Sequence, residues 1–162
     1  MAVDMFIQID GIKGESMDHK HKDEIDVLSW SWNMTQSGTF HVGGGGGSGK
    51  VNVGDLVFTK WVDKSSPNLM QICCEGEHIP SALLTIRKAG KNPLEYMKIT
   101  FEKLLVSSIT TGGEALKDDR LLETIKLNFA KFKVEYQEQD EKGGPKGGIM
   151  DASFDIEANV KA

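Results

Sequence analysis

The run Gly44-Gly45-Gly46-Gly47-Ser48-Gly49-Lys50 holds the residue types of a phosphate-binding loop, with glycine amides to cradle oxygens and a lysine to reach them. The next residue is Val51, so the Ser or Thr hydroxyl that would ligate magnesium is missing. Such a loop must also open a helix whose N-terminus faces the phosphates, whereas Val51-Asn52-Val53-Gly54-Asp55-Leu56-Val57-Phe58 alternates as a strand. The glycines therefore mark a flexible loop between two strands, and no nucleotide or other cofactor is expected.

The other candidate chemistries are equally incomplete. His19 and His21 stand two apart within Met17-Asp18-His19-Lys20-His21-Lys22-Asp23, where a metal could recruit Asp18 and Asp23. Nearby lysines and the lack of a Cys or further His at zinc-like spacing favour a solvated charged turn. His41 and His78 have no sequence-local nucleophile or orienting carboxylate. Glu95, Glu102, Glu123 and Glu135 lie on separate strands among Lys98, Lys103, Lys126 and Lys133, which reads as paired charge on solvated strand faces. The two cysteines are adjacent, at Cys73 and Cys74, and neighbours in a helix cannot reach ordinary disulfide geometry. They read as small helix residues in a reducing compartment. No catalytic residue and no metal ligand is assigned, and the chain is expected not to be an enzyme.

The elements that would carry these residues are mostly strands. Stretches rich in Val, Ile, Leu, Phe and Thr alternate with polar residues over Val3–Ile9, Glu24–Met34, Thr35–Val42, Val51–Trp61, Ser81–Lys88, Leu94–Ile109, Leu122–Tyr136 and Ala152–Val160. One segment, about 66–75, has helix punctuation: Ser66 suits the N-cap, Pro67 the first turn and Gly76 the stop, with Leu69, Ile72 and Cys73 on one face. So many strands in one chain point to a closed barrel or sandwich, which limits exposed edges. The strands flanking the glycines make a long arm, about 35–60, with a pliable tip.

The chain has 162 residues, enough for a single domain spanning 1–162 that buries about 70% of its unfolded surface without disulfides or metal. Its 19 Lys+Arg against 24 Asp+Glu give a net charge of -5 without a basic cluster, so nucleic acid is not an expected partner. No apolar run reaches membrane-spanning length and the start lacks a classical export signal, so cytoplasmic synthesis without membrane insertion is expected.

Blocks along the chain also carry a resemblance. Met5-Phe6-Ile7-Gln8-Ile9-Asp10-Gly11-Ile12-Lys13-Gly14-Glu15-Ser16 is similar to the amino terminus of the hemolysin-coregulated protein (Hcp) family, the tube proteins of type VI secretion. Glu24-Ile25-Asp26-Val27-Leu28-Ser29-Trp30-Ser31-Trp32, Phe58-Thr59-Lys60, Asp63-Lys64-Ser65-Ser66-Pro67-Asn68-Leu69, Leu84-Thr85-Ile86-Arg87-Lys88-Ala89-Gly90 and Leu127-Asn128-Phe129-Ala130 follow in the family's order. The carboxyl end departs, with Ser153-Phe154-Asp155-Ile156 where many relatives have Gly-Trp. The resemblance implies a mainly β fold: a two-sheet β-barrel with one short flanking helix and an extended arm, phage tail-tube-like. It implies homohexameric rings stacked into a tube, ejected by a contractile sheath behind a spike protein, with effector proteins carried in the ring lumen. Sequence physics by itself leaves a monomeric ligand-binding β-barrel as the alternative.

Two sets of residues are singled out for those roles. Leu28, Trp30, Trp32 and Met34 share strand parity and are expected to face the core, which turns Ser29, Ser31 and Asn33 outward as candidate lumen or cargo contacts. The arm supplies candidate subunit contacts: Phe40, Val42, Gly43, Gly44, Gly45, Gly46, Gly47, Val51 and Val53.

Overall fold

A computed structural model of the chain describes residues 2–38, 40–41, 49–116 and 119–162. Eleven named elements follow in order: β1 Val3–Ile9, β2 Ile25–Asp26, β3 Ser29–Ser31, β4 Met34–Thr35, β5 Asn52–Val53, β6 Leu56–Trp61, α1 Ser65–Glu75, β7 Ile79–Lys88, β8 Glu95–Gly112, β9 Leu122–Tyr136 and β10 Met150–Asp155. The main sheet is antiparallel in the order β2-β1-β7-β8-β9-β6-β3, with β10 also on β9, and β4 and β5 form a separate two-stranded ribbon.

The two ends of that order belong to one stretch of chain. The Val27 amide donates to the carbonyl of Met5 in β1, and the next amide, Leu28, donates to Thr59 in β6, each at 2.9 Å. Segment 25–31 thus pairs with both edges, and the curled sheet closes on itself. The β4–β5 ribbon is a second, smaller sheet beside this curled one, and the architecture is the mainly β barrel expected. Ile7, Ile9, Leu84, Ile86, Ile99, Phe101, Leu104, Ile125 and Leu127 fill the interior, each 3% exposed or less. Long β8 bends to wrap this core: Lys103 has φ 54°, and one extra residue lies between the pairs Val106↔Leu127 and Ser108↔Lys126. These irregularities reset strand parity, so the inward side chains run Ile99, Phe101, then Leu104, Val106, then Ile109.

Crossing between edges also resets parity in segment 25–31, and corrects the expected alternation. Ile25 and Val27 are buried, Trp30 and Trp32 pack on the core, and Leu28 and Met34 are exposed. The predicted strand Glu24–Met34 is accordingly three short ones. Trp32 meets Phe101, Phe129 and Phe132 edge-on with ring centroids 5.9, 5.7 and 4.8 Å away, and its indole N–H donates to the Gly54 carbonyl at 2.9 Å.

The helix begins earlier than expected and Ser66 is not its cap. Asp63 Oδ1 accepts the Ser65 amide at 2.9 Å, while Ser66 Oγ accepts the Asp63 amide at 3.0 Å, a reciprocal capping arrangement one turn upstream. Gly76 closes the helix with φ 62°, its amide bonded to the Ile72 carbonyl. Leu69 is buried and Ile72 and Cys73 pack against the core, as their spacing predicts, while Cys74 is exposed.

Beneath the helix start lies an ion pair that corrects the reading of Glu123 as surface charge. Lys60 and Glu123 are 0% and 1% exposed, facing each other across β6 and β9. Lys60 Nζ lies 2.8 Å from Glu123 Oε2, 3.1 Å from Asp63 Oδ1, 3.0 Å from Ser66 Oγ and 2.9 Å from the Trp61 carbonyl. Ser66 Oγ also donates to Glu123 Oε2 at 2.7 Å, whereas Glu123 Oε1 has no hydrogen-bond partner. The capping residues and the buried charges are one network, tying α1 to the barrel wall.

Candidate functional site: a hydroxyl-lined outer face

Strand register assembles a face that spans four strands. Ser29 pairs with Thr59, Thr59 with Thr124 and Thr124 with Thr110, so four hydroxyl side chains run across β3, β6, β9 and β8. The next parallel row is Ser31, Val57, Lys126 and Ser108. Between them on the opposite face run Trp30, Phe58, Ile125 and Ile109, packed in the barrel. Alternation at period two therefore makes one face core and the other a surface of small polar groups.

Local contacts hold that surface. Ser29 and Thr59 share a hydroxyl hydrogen bond of 2.6 Å. Asp55 accepts from Ser107 Oγ at 2.6 Å and Asn128 Nδ2 at 2.8 Å, so its carboxylate is spent on its neighbours. Ser29, Ser31 and Asn33 are exposed, and the Asn33 carbonyl accepts the Gly54 amide at 2.9 Å. Sequence parity found these three from one strand. Their lateral partners Thr59, Thr110, Thr124 and Ser108 were missed, because they depend on register and on the β8 bulge that aligns Ser108 with Lys126.

The arm residues are less gathered. Val53 packs on the core, and Val51 joins it with Met34, Phe132, Ala152 and Phe154 around a groove of about 350 Å³ between the ribbon and β10. Phe40 is 87% exposed. Val42, Gly43, Gly44, Gly45, Gly46 and Gly47 lie outside the described residues. The expected arm, 35–60, overlaps β6, which is a barrel strand, and of its described residues the β5 strand of the ribbon stands apart from the main sheet.

His21 is a second correction. It is 7% exposed, not part of a solvated turn, and its ring bridges Glu24 and Glu95, with Nδ1 2.6 Å from Glu24 Oε2 and Nε2 2.7 Å from Glu95 Oε1. Burial pushes the Glu24 carboxyl above the usual range against the pull of His21. Burial pushes Glu95 up too, but hydrogen bonds from His21 and Lys98 outweigh it and hold that carboxyl below the usual range. Among the described residues no three His, Cys, Asp or Glu side chains gather as a metal site. His19, His41 and His78 are exposed, and among the described residues no helix is long and apolar enough to cross a membrane.

Among the described residues the protein is a mainly β, curled antiparallel sheet with one short flanking helix. The sequence profile described as "Type VI secretion system effector, Hcp" matches residues 6–136. The chain is 56% identical over 163 aligned positions to Protein hcp1 of Pseudomonas aeruginosa, covering all of both chains. Hcp1 from Salmonella typhimurium superposes with a TM-score of 0.83 at 45% identity, with full coverage of both chains. A structure titled as a type six secretion system protein gives 0.94 at 31% identity, covering 99% of this chain and 100% of its own. The chain belongs to the Hcp family of type VI secretion proteins.

Proposed function

We propose that the chain is a non-enzymatic subunit of the secretion tube, closing into six-membered rings that stack and hold effector proteins against the hydroxyl-lined face. The single observation that carries this reading is that face: two rows across four strands with Lys126 as their sole ionised side chain. Small hydroxyls contact varied protein surfaces without gripping one irreversibly, because each forms replaceable hydrogen bonds and offers little apolar area. Family membership supports the ring, the tube, and the sheath and spike as further partners. It also supports a route from cytoplasm to exterior by ejection, and a single domain spanning 1–162.

Closure of the barrel supports assembly through the remaining edges. Among the named strands of the described residues β10 pairs with β9 alone, apart from a bridge between Asp155 and Val160, and the β4–β5 ribbon stands apart from the main sheet, so both offer strand edges to a neighbour. Val51 and Val53, and Phe40 beyond the ribbon, are the described candidates for such contacts. Light scattering after size exclusion tests the ring. The expected mass is six times 17.8 kDa, roughly 107 kDa, and a monomer at high protein concentration overturns the reading in favour of a monomeric barrel.

A further inference from the structure

The connection from Lys13 to Glu24 covers a patch that a barrel strand would ordinarily show to solvent. Phe6, Thr85 and Arg87 point outward from β1 and β7, opposite in parity to the core residues Ile7, Leu84 and Ile86, yet are 5%, 1% and 7% exposed. His21 lies flat on Phe6, with ring centroids 4.4 Å apart and planes 9° apart. Gly14 permits the fold of this cover, since a Cβ there would lie 2.5 Å from the Glu24 carbonyl oxygen. Backbone bonds Gly14 N–H to Asp23 O, Asp23 N–H to Ser16 O and Ser16 N–H to Glu24 O hold the connection in register.

Two anchors fix the cover to the barrel, and they differ in chemistry. One is Arg87 of β7, which donates to Asp4 of β1 and to Asp18 of the connection. A guanidinium does not give up its proton in a protein, so this anchor is permanent at neutral and mildly basic pH. The other is the His21 ring between Glu24 of the connection and Glu95 of β8, the latter also paired with Lys98 at 3.1 Å. A neutral imidazole has one N–H and one lone pair, but here each ring nitrogen faces a carboxylate oxygen within 2.7 Å. Turning the ring would bring Cδ2 and Cε1 to the positions of the nitrogens and lose both contacts, so it offers no relief. Two protons must therefore lie on the two N···O lines. With only one, a nearly buried lone pair would face a carboxylate across hydrogen-bond distance.

We propose that His21, Glu24 and Glu95 form a proton-held latch that keeps connection 13–24 closed over Phe6, and that losing one of the two shared protons opens it. The groups facing the latch are Glu24, Asp18 and Phe6 beside the ring, Glu95 and Lys98 from β8, and Arg87 and Asp4 from β7 and β1. Opening is local, because the Arg87 anchor keeps Asp18 in place. It uncovers the apolar face of Phe6 and breaks the backbone pairs that run through Asp23 and Glu24. The latch does not depend on the tube reading.

Two measurements on the full chain test it. In protein carrying 15N-histidine, long-range proton–nitrogen spectra at pH 7 should show hydrogen on both His21 ring nitrogens, its signals identified by their loss in His21→Gln. Amide exchange at Ser16 and Asp23, corrected for the intrinsic base-catalysed rate, should lose protection at least roughly tenfold between a pH where the spectra show hydrogen on both ring nitrogens and a higher one where they show it on one, the effect of losing a buried hydrogen bond to a charged group. In His21→Gln protection should be low and the same at both values. Glu95→Gln keeps an acceptor but removes a charge, so its protection should fall at lower pH than in the parent. A single N–H on His21 at pH 7, or an undiminished step in His21→Gln, overturns the proposal, and so does an unmoved step in Glu95→Gln should the first variant not fold.

Discussion

Replacing Lys60 with Met should strand one of the two most deeply buried charges of the barrel. Met keeps most of the unbranched stem, so packing changes little and the effect isolates the ammonium. Glu123, 1% exposed, would keep only the Ser66 hydroxyl as donor, since Oε1 already has none. Removing one partner of a buried pair costs about 3–5 kcal/mol, because the remaining charge has lost both water and counter-ion. In a chain of this size each kcal/mol moves the midpoint of thermal unfolding by about 2–4 °C, so a fall of roughly 6–20 °C is expected. Asp63 suffers less, its side chain being 12% exposed and open to water. The double change Lys60→Met with Glu123→Leu removes both charges and leaves the Ser66 hydroxyl and Trp61 carbonyl underbonded, at about 1–3 kcal/mol. The double variant should therefore be more stable than Lys60→Met alone, as read by urea unfolding with a shared slope. A single variant losing under about 1 kcal/mol, or a double variant as unstable as the sum of both singles, would refute the reasoning.

Ser31→Gln places a longer amide in the hydroxyl rows and should leave the ring mass unchanged while lowering co-purified effector several-fold; failure to assemble would assign Ser31 to a subunit contact instead. Deleting Gly43–Gly49 should preserve the circular dichroism of the barrel, since six glycines and one serine carry no apolar side chain, and weaken ring formation or stacking in light scattering. Replacing Cys73 and Cys74 with Ser should cost at most about 1–2 kcal/mol, from the half-buried Cys73, and leave assembly intact. Acid should loosen the Arg87 anchor. The hydrogen bond from Arg87 leads the effects that hold Asp18 below the usual carboxylate range. A depressed carboxyl contributes stability above its unfolded value that is lost as pH falls through the folded one. The loss should therefore set in below about pH 4, read as rising amide exchange in residues 16–24.

Fold class and much of the element order were legible because alternation and turn chemistry are local. Val3–Ile9 and Leu122–Tyr136 match their strands, and Gly76 marks the helix stop. What escaped depended on distant chain. Leu28 and Met34 have the parity of Trp30 and Trp32, but the chain changes partners between Val27 and Leu28, and no local pattern records that. Lys60 was half legible, since Leu56, Phe58 and Lys60 alternate together, yet a lysine on the core face makes sense only once Glu123 is opposite it. Of the candidate face, the strand bearing Ser29 and Ser31 could be read, while the hydroxyls beside it required register.

The shared segment 25–31 also bears on the order in which the molecule forms. β7, β8 and β9 follow one another along the chain and can zip through short connections, whereas closure joins Val27 to Met5 and Leu28 to Thr59. Those contacts gather three separated stretches at once, so their loop entropy is met late. Until then β1 and β6 each present an unpaired flank to other nascent chains. A destabilised Val27–Leu28 step would therefore show itself first as slower refolding and concentration-dependent loss of yield, even where the finished barrel is scarcely weaker.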